Sequence, residues 1–178
     1  MNHRLVIDPG HGGRAPGLVR EVGGKKLVEA EANLQSALTL KYILKDVFGF
    51  PYDILLTRTE NKTISWGSRM IPATLSVAIH YDIDNGGIPI YYQKGRCDSF
   101  YVAERLRILT GYKHPVWSTR RAAHTGGRLY IDDAKHPFVL WEVDQLINYE
   151  DSREWRVKKF TPIAKAIVEV FNDLVRGL

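Results

Sequence analysis

Apolar residues follow two rhythms along this chain. Short apolar runs bounded by Gly, Pro or polar clusters predict strands over 5–9, 52–57, 75–80, 88–93, 128–131 and 138–143. Between them, apolar positions separated mainly by threes and fours predict helices over 30–48, 63–73, 99–109 and 154–174. The first carries Leu34, Ala37, Leu40, Ile43 and Leu44 and stops at Gly49 and Pro51; the last carries Ile163, Ile167, Val170 and Phe171, with Pro162 set to kink or split it. Thr63 or Ser65 is placed to cap the second helix. Residues 110–128 mix Gly, Pro, aromatic and basic types without a period and read as surface loop and groove wall. Alternating strands and helices imply an α/β fold: one domain over 1–178, with a twisted, mostly parallel sheet and helices on both faces. No repeat or linker marks a second domain.

Three of these strands end in reactive side chains. Leu5-Val6-Ile7-Asp8-Pro9-Gly10-His11 closes on an imidazole between glycines, Ser76-Val77-Ala78-Ile79-His80 on a second, and Phe138-Val139-Leu140-Trp141-Glu142 on a carboxylate. In open α/β sheets the carboxyl ends of the strands are where ligands collect. Hydrolytic zinc commonly takes three protein ligands, imidazoles and a carboxylate among them, plus water. His11 and His80 supply two, and Glu29 or Glu31 at the start of the first helix suits as the third. Either glutamate is equally explained by the preference of a helix N-terminus for negative charge. Glu142 follows four apolar residues, where a buried carboxylate is costly unless it is paired, for instance with Arg128, or acts as a general base. His114, His124 and His136 sit in irregular surroundings that suit solvent or substrate contact, and His3 precedes the first strand at the surface.

At 178 residues the chain is long enough to bury roughly 70% of its unfolded surface without disulfides. Its single cysteine, Cys97, falls in a predicted loop and excludes an internal disulfide or a cysteine-rich metal site. A net charge of +5 favours anionic partners, nucleic acid and an anionic cell envelope alike, and no nucleic-acid motif of the usual kinds is visible. Neither a secretory h-region nor a membrane-length apolar run is present, so the expectation is cytoplasmic synthesis, no membrane insertion and a monomer. A GxSxG elbow is absent. The loop Gly10-His11-Gly12 lacks the third glycine of a dinucleotide site, because Ala15 stands there.

The ensemble resembles the zinc-dependent N-acetylmuramoyl-L-alanine amidases of the Amidase_3 family over nearly the whole chain. VIDPGHGG is similar to the first metal motif, and Glu29-Ala30-Glu31-Ala32-Asn33 to the second, in which the ligand stands four residues before the asparagine. The resemblance therefore selects Glu29. Leu55-Leu56-Thr57-Arg58-Thr59 with Arg69 is similar to the family's next strand and helix, Ser76 to His80 to the strand of the second histidine, and Val139-Leu140-Trp141-Glu142 with Asn148 to the catalytic segment. Tyr81-Asp82, Val143-Asp144 and Asp132-Asp133 depart from the family's usual residues.

The resemblance implies a phosphorylase/hydrolase-like sheet, Zn²⁺ held by His11, Glu29 and His80, and Glu142 as general base and acid. It also implies peptidoglycan as substrate, cut between the muramic lactyl group and L-alanine. Without a leader or a wall-binding domain, the expectation is an endolysin that reaches the wall after holin action, with an amidase released by mother-cell lysis in sporulation as the second choice. A zinc peptidase acting within the stem peptide and a non-catalytic wall-binding module on the same fold are the alternatives.

Overall fold

A computed structural model describes residues 3–82, 88–122 and 129–177. Strand β1 (Arg4–Pro9) leads into a hairpin of β2 (Val19–Val22) and β3 (Lys25–Val28), then helix α1 (Glu29–Tyr42), which continues as a π-helical turn, Ile43–Val47. Strand β4 (Asp53–Leu56), the one-turn helix α2 (Trp66–Arg69) and β5 (Leu75–Asp82) follow. Then come β6 (Ile90–Tyr92), α3 (Cys97–Thr110), β7 (Val116–Ser118), β8 (Phe138–Gln145) and α4 (Arg153–Arg176). Six strands form one sheet in the order β4-β1-β5-β8-β6-β7. The first four are parallel to one another; β6 runs antiparallel to β8 and parallel to β7. The mostly parallel α/β sheet expected from the sequence is present.

Side chains alternate between faces along each strand, and the two faces are covered unequally. Leu5, Ile7, Val77, Ile79, Val139 and Trp141 pack with Leu40 and Leu44, with Val102 and Leu106 of α3, and with Ile167 and Phe171 of α4. Burying each such side chain contributes about 1.5–3 kcal/mol. Ala78, Phe138, Leu140 and Tyr91 face the other way, against Met70, Ala122 and Ile131. That cover comes from α2 and from the 3-10 turns Thr119–Arg121 and Tyr130–Asp133, so the long helices lie on one face only.

Several predicted boundaries move for local reasons. The helix expected over 63–73 shrinks to α2: Ser65 caps it by accepting from the Ser68 amide at 3.1 Å, and Pro72 disfavours helix in the residue before it. Residues 130–133 form a 3-10 turn instead of a strand end, because Asp132 accepts from the Leu129 amide at 3.1 Å; Arg128 lies outside the described residues. Strand β7 and a 3-10 turn stand where loop was expected. The hairpin β2–β3 occupies what reads as a Gly-rich loop. Cys97 is exposed at the start of α3, and Pro162 lies inside an unsplit α4 whose N-cap is Ser152. Among the described residues, no helix is long and apolar enough to cross a membrane.

Candidate functional site

The carboxyl ends of β1, β5 and β8 meet the start of α1, and the expected residues converge there. Strand β1 ends at Pro9, and His11 follows with φ of 59°, the one positive φ of a non-glycine side chain among the described residues. That turn aims its imidazole back toward α1. Glu29 is the first residue of α1 and is buried, while Glu31 points outward and is exposed. Glu29 Oε1 lies 3.0 Å from His80 Nδ1 and 3.2 Å from His11 Nε2, and its Oε2 accepts from the Leu18 amide at 2.9 Å. Burial opposes charge on this carboxyl, but hydrogen bonds from His11 and His80 outweigh it and hold Glu29 well below the usual carboxylate range.

These three residues can hold a metal ion. Their ligand atoms all lie within 4.8 Å of one another. Donors around a tetrahedral ion with bonds of roughly 2.0–2.1 Å stand about 3.3 Å apart, close to the two distances that join Glu29 to its imidazoles. An N/O donor set of this kind suits zinc, and the residues fit it.

Glu142 lies beside His80 in the parallel register of β5 and β8, with its side chain on the same face. The register shifts just beyond them, between His80 and Tyr81, so that Tyr81 pairs with Asp144. Glu142 Oε2 is buried and makes no hydrogen bond among the described residues. Burial, reinforced by the charges of Glu29 and Asp82, holds this carboxyl well above its ordinary range. Its strand is fixed from behind by the Tyr112 hydroxyl, which sits 2.5 Å from the Glu142 carbonyl oxygen and 2.7 Å from that of Ile88. Arg128, the expected structural partner of Glu142, lies outside the described residues.

A second layer was only partly visible in the sequence. Arg58, 1% exposed, donates to the carbonyls of Pro9 (3.0 Å), Gly10 (2.9 Å) and Ala30 (2.7 Å), tying the His11 loop to the first turn of α1. Burial and the neighbouring Arg69 charge pull its pKa down to about 10, so it stays cationic at neutral pH. Arg69 donates to the His11 carbonyl at 2.9 Å and pairs with the wholly buried Asp8, which also accepts from Thr57 and Tyr130. Asn33 reaches Gly10 O at 3.1 Å and Glu29 Oε1 at 3.4 Å. The signal for Asp8 was available: a carboxylate inside an apolar strand requires a partner. Gly10 is needed for space, since a Cβ there would fall 2.1 Å from His80 Nε2.

The remaining histidines stand apart from this cluster. His136 bonds Ser76 Oγ at 2.7 Å and stacks on Phe138; His114 packs against Tyr112, and His3 against Tyr52. His124 lies outside the described residues.

Comparison with known proteins places this geometry. The family model Amidase_3, described as N-acetylmuramoyl-L-alanine amidase, matches residues 5–172. A probable cell wall amidase, LytH, of Staphylococcus epidermidis is 26% identical over 151 residues, covering 83% of this chain. The chain spans about half the length of this curated relative, 49%. Among solved structures, the catalytic domain of CwlV, an N-acetylmuramoyl-L-alanine amidase from Bacillus (Paenibacillus) polymyxa var. colistinus, matches at 25% identity with a TM-score of 0.77. That match covers 96% of this chain and 98% of the other. Cwp6 from Clostridium difficile matches at 26% identity and a TM-score of 0.73, covering 98% of this chain and 30% of the other.

Proposed function

The chain belongs to the Amidase_3 family, and on that premise we propose that it is a zinc-dependent peptidoglycan amidase. It cleaves the amide between the lactyl group of N-acetylmuramic acid and L-alanine. One observation carries the mechanism: a buried Glu142 oxygen without a hydrogen bond stands beside a cluster of two imidazoles and a carboxylate. An unsatisfied buried polar atom costs about 1–3 kcal/mol, a cost retained where chemistry uses the atom.

His11, Glu29 and His80 are the ligand set. Zn²⁺ bound there supplies Lewis acidity toward the scissile carbonyl and the attacking water. Glu142 takes the proton of that water as the new C–O bond forms. It then delivers the proton to the L-alanine nitrogen as the C–N bond breaks, leaving a lactyl carboxyl group and a free amine. Burial pushes the Glu142 carboxyl toward its protonated form, and positive charge held by the neighbouring three-ligand cluster would oppose that shift. Arg58, Arg69 and Asn33 keep the His11 loop and Glu29 at fixed spacing while this happens.

Digestion of purified sacculi with and without chelator, followed by mass spectrometry of the new termini, tests the proposal. The expected result is release of lactyl carboxyl groups and amino-terminal L-alanine, abolished by chelator. New termini inside the stem peptide would make the protein a peptidase, and binding without cleavage would make it a wall-binding module. The endolysin role, with the protein acting as a monomer on an anionic wall, is the finer part of this proposal. It predicts that cells expressing the protein lyse only once a pore-forming protein opens the membrane.

A further inference from the structure

His11 keeps a φ of 59°, a backbone state that a residue other than glycine retains only where its surroundings over-determine it. Its carbonyl is held by Nη2 of Arg69 at 2.9 Å. The guanidinium is oriented in turn by the wholly buried Asp8, whose Oδ1 pairs with Nη1 and also accepts from Thr57. Oδ2 of that carboxylate accepts from one group among the described residues, the Tyr130 hydroxyl at 2.5 Å. The two oxygens therefore differ: Oδ1 has a donor to spare, and Oδ2 depends on Tyr130.

Tyr130 reaches the same guanidinium by a second route. Its ring lies 5.6 Å from Arg69 Cζ, a cation-π contact, and Phe138 of β8 meets the ring edge-on at 5.8 Å. Burial and the Asp8 charge hold the hydroxyl well above its ordinary range, so it remains a donor at neutral pH. Deleting it would leave a buried carboxylate oxygen without its donor, which favours rotation of the carboxylate toward other partners. Arg69 would turn with it, and its hold on the His11 carbonyl would loosen. We propose, building on the amidase reading, that Tyr130 is a positioning residue for the ligand cluster. Acting through Asp8 and Arg69, its hydroxyl keeps the His11 loop in the turn that aims the imidazole at Glu29. The group that sets the first ligand thus comes from the segment leading into β8, 122 positions beyond Asp8 in the chain.

Two variants each remove one hydroxyl from the same carboxylate. Tyr130→Phe keeps the ring and strips Oδ2, whereas Thr57→Val leaves Oδ1 to Arg69. Both should fold and melt lower, by roughly 2–12 °C for one bond lost at a buried carboxylate. Only Tyr130→Phe should disturb the metal site. Losing a partner one shell outside a metal ligand typically costs about 10- to 100-fold in affinity or activity, and Tyr130 stands a step further out, so a loss of about tenfold is expected. It should appear in zinc affinity, read by competition with a chelator, and as a shift in the visible spectrum of the cobalt-loaded protein. The kcat for release of lactyl carboxyl groups should fall by a similar factor while KM stays near the parental value. A Tyr130→Phe protein that melts lower but keeps parental zinc affinity and cobalt spectrum overturns the proposal, because the hydroxyl then serves stability alone. Failure of that variant to fold overturns it for the same reason, and so does an equal loss of metal affinity in Thr57→Val. If Tyr130→Phe weakens zinc binding as expected but the parent releases no lactyl carboxyl groups, the amidase reading fails and the role of Tyr130 at the metal site stands.

Discussion

Gly10→Ala isolates the geometry of the ligand cluster from its chemistry, because the substituted residue is not a ligand. Gly10 has no positive φ, so alanine is compatible with its backbone; the conflict is one of space. The added Cβ would lie 2.1 Å from His80 Nε2 and 2.2 Å from Cε1. Ordinary contact is about 3.5 Å, so the imidazole must retreat by roughly 1.4 Å, the difference from the 2.1 Å that the structure gives. His80 is only 8% exposed, with Glu29 at 3.0 Å, and cannot make that retreat without leaving its partner. Misplacement by about 1 Å costs on the order of 10²-fold in rate, and overpacking of this kind costs about 1–3 kcal/mol of stability. At about 2–4 °C per kcal/mol for a domain of this size, melting should fall by roughly 2–12 °C while the protein remains folded at room temperature. Zinc affinity, read by competition with a chromophoric chelator, should weaken, and release of lactyl carboxyl groups should drop at least 100-fold. Gly67→Ala is the control. Its Cβ would meet only Ser65 Oγ at 3.9 Å in an exposed helical turn, so stability should hold or rise slightly. If Gly10→Ala keeps zinc affinity and rate within threefold of the parent, His80 does not sit against Gly10 in the working enzyme and the steric argument is wrong.

Four further outcomes are expected. Glu29→Ala should empty the zinc site, measured by metal analysis, while Glu31→Ala keeps it; equal loss in both would remove Glu29 from the ligand set. Glu142→Gln should lose at least about 10²- to 10⁴-fold in rate with zinc content and melting temperature near parental values, and near-parental turnover would exclude it as the base. Wall binding by the basic surface should weaken as salt rises, since charge is screened over about 10 Å at 0.1 M; salt-independent binding would count against electrostatic targeting. Burial, and after it the Arg96 charge, lowers the His136 pKa below 6.5 against the opposing pull of Asp98. Folding therefore favours the neutral ring: stability is full above about pH 6.5 and declines as the pH falls below it, by at most about 1.4 kcal/mol per pH unit. His136→Gln should flatten that decline in melting curves taken between pH 7 and 5.

The reactive ends of β1, β5 and β8 were legible because each is a polar side chain that interrupts an apolar run at a punctuation point. Spacing alone could not choose between Glu29 and Glu31, since both fit the first turn of a helix. The family resemblance favoured Glu29, and the fold turns it inward. The hairpin β2–β3 escaped notice because its residues are exposed or half-buried and so carry no alternating pattern. Its one cue was Gly23-Gly24, both at positive φ, the composition of a tight hairpin turn. The roles of Arg58 and Arg69 were not derivable from their neighbours in sequence, because the carbonyls they hold are chosen by the tertiary approach of distant segments.

The Arg58 brace also constrains the order in which this protein is assembled. Its guanidinium joins carbonyls 49, 48 and 28 residues away in sequence, so none of those bonds exists until β4 has docked alongside β1. Contacts of such long range close late, after the entropy of the intervening loops has been lost. Until then the Arg58 bonds that fix the spacing of the His11 loop and the first turn of α1 are missing. His80 joins His11 and Glu29 only when β5 completes the parallel triplet β4-β1-β5. On the proposed ligand set, the spacing a metal would need exists only once the sheet has formed, unlike the small zinc domains in which the ion nucleates the chain around itself.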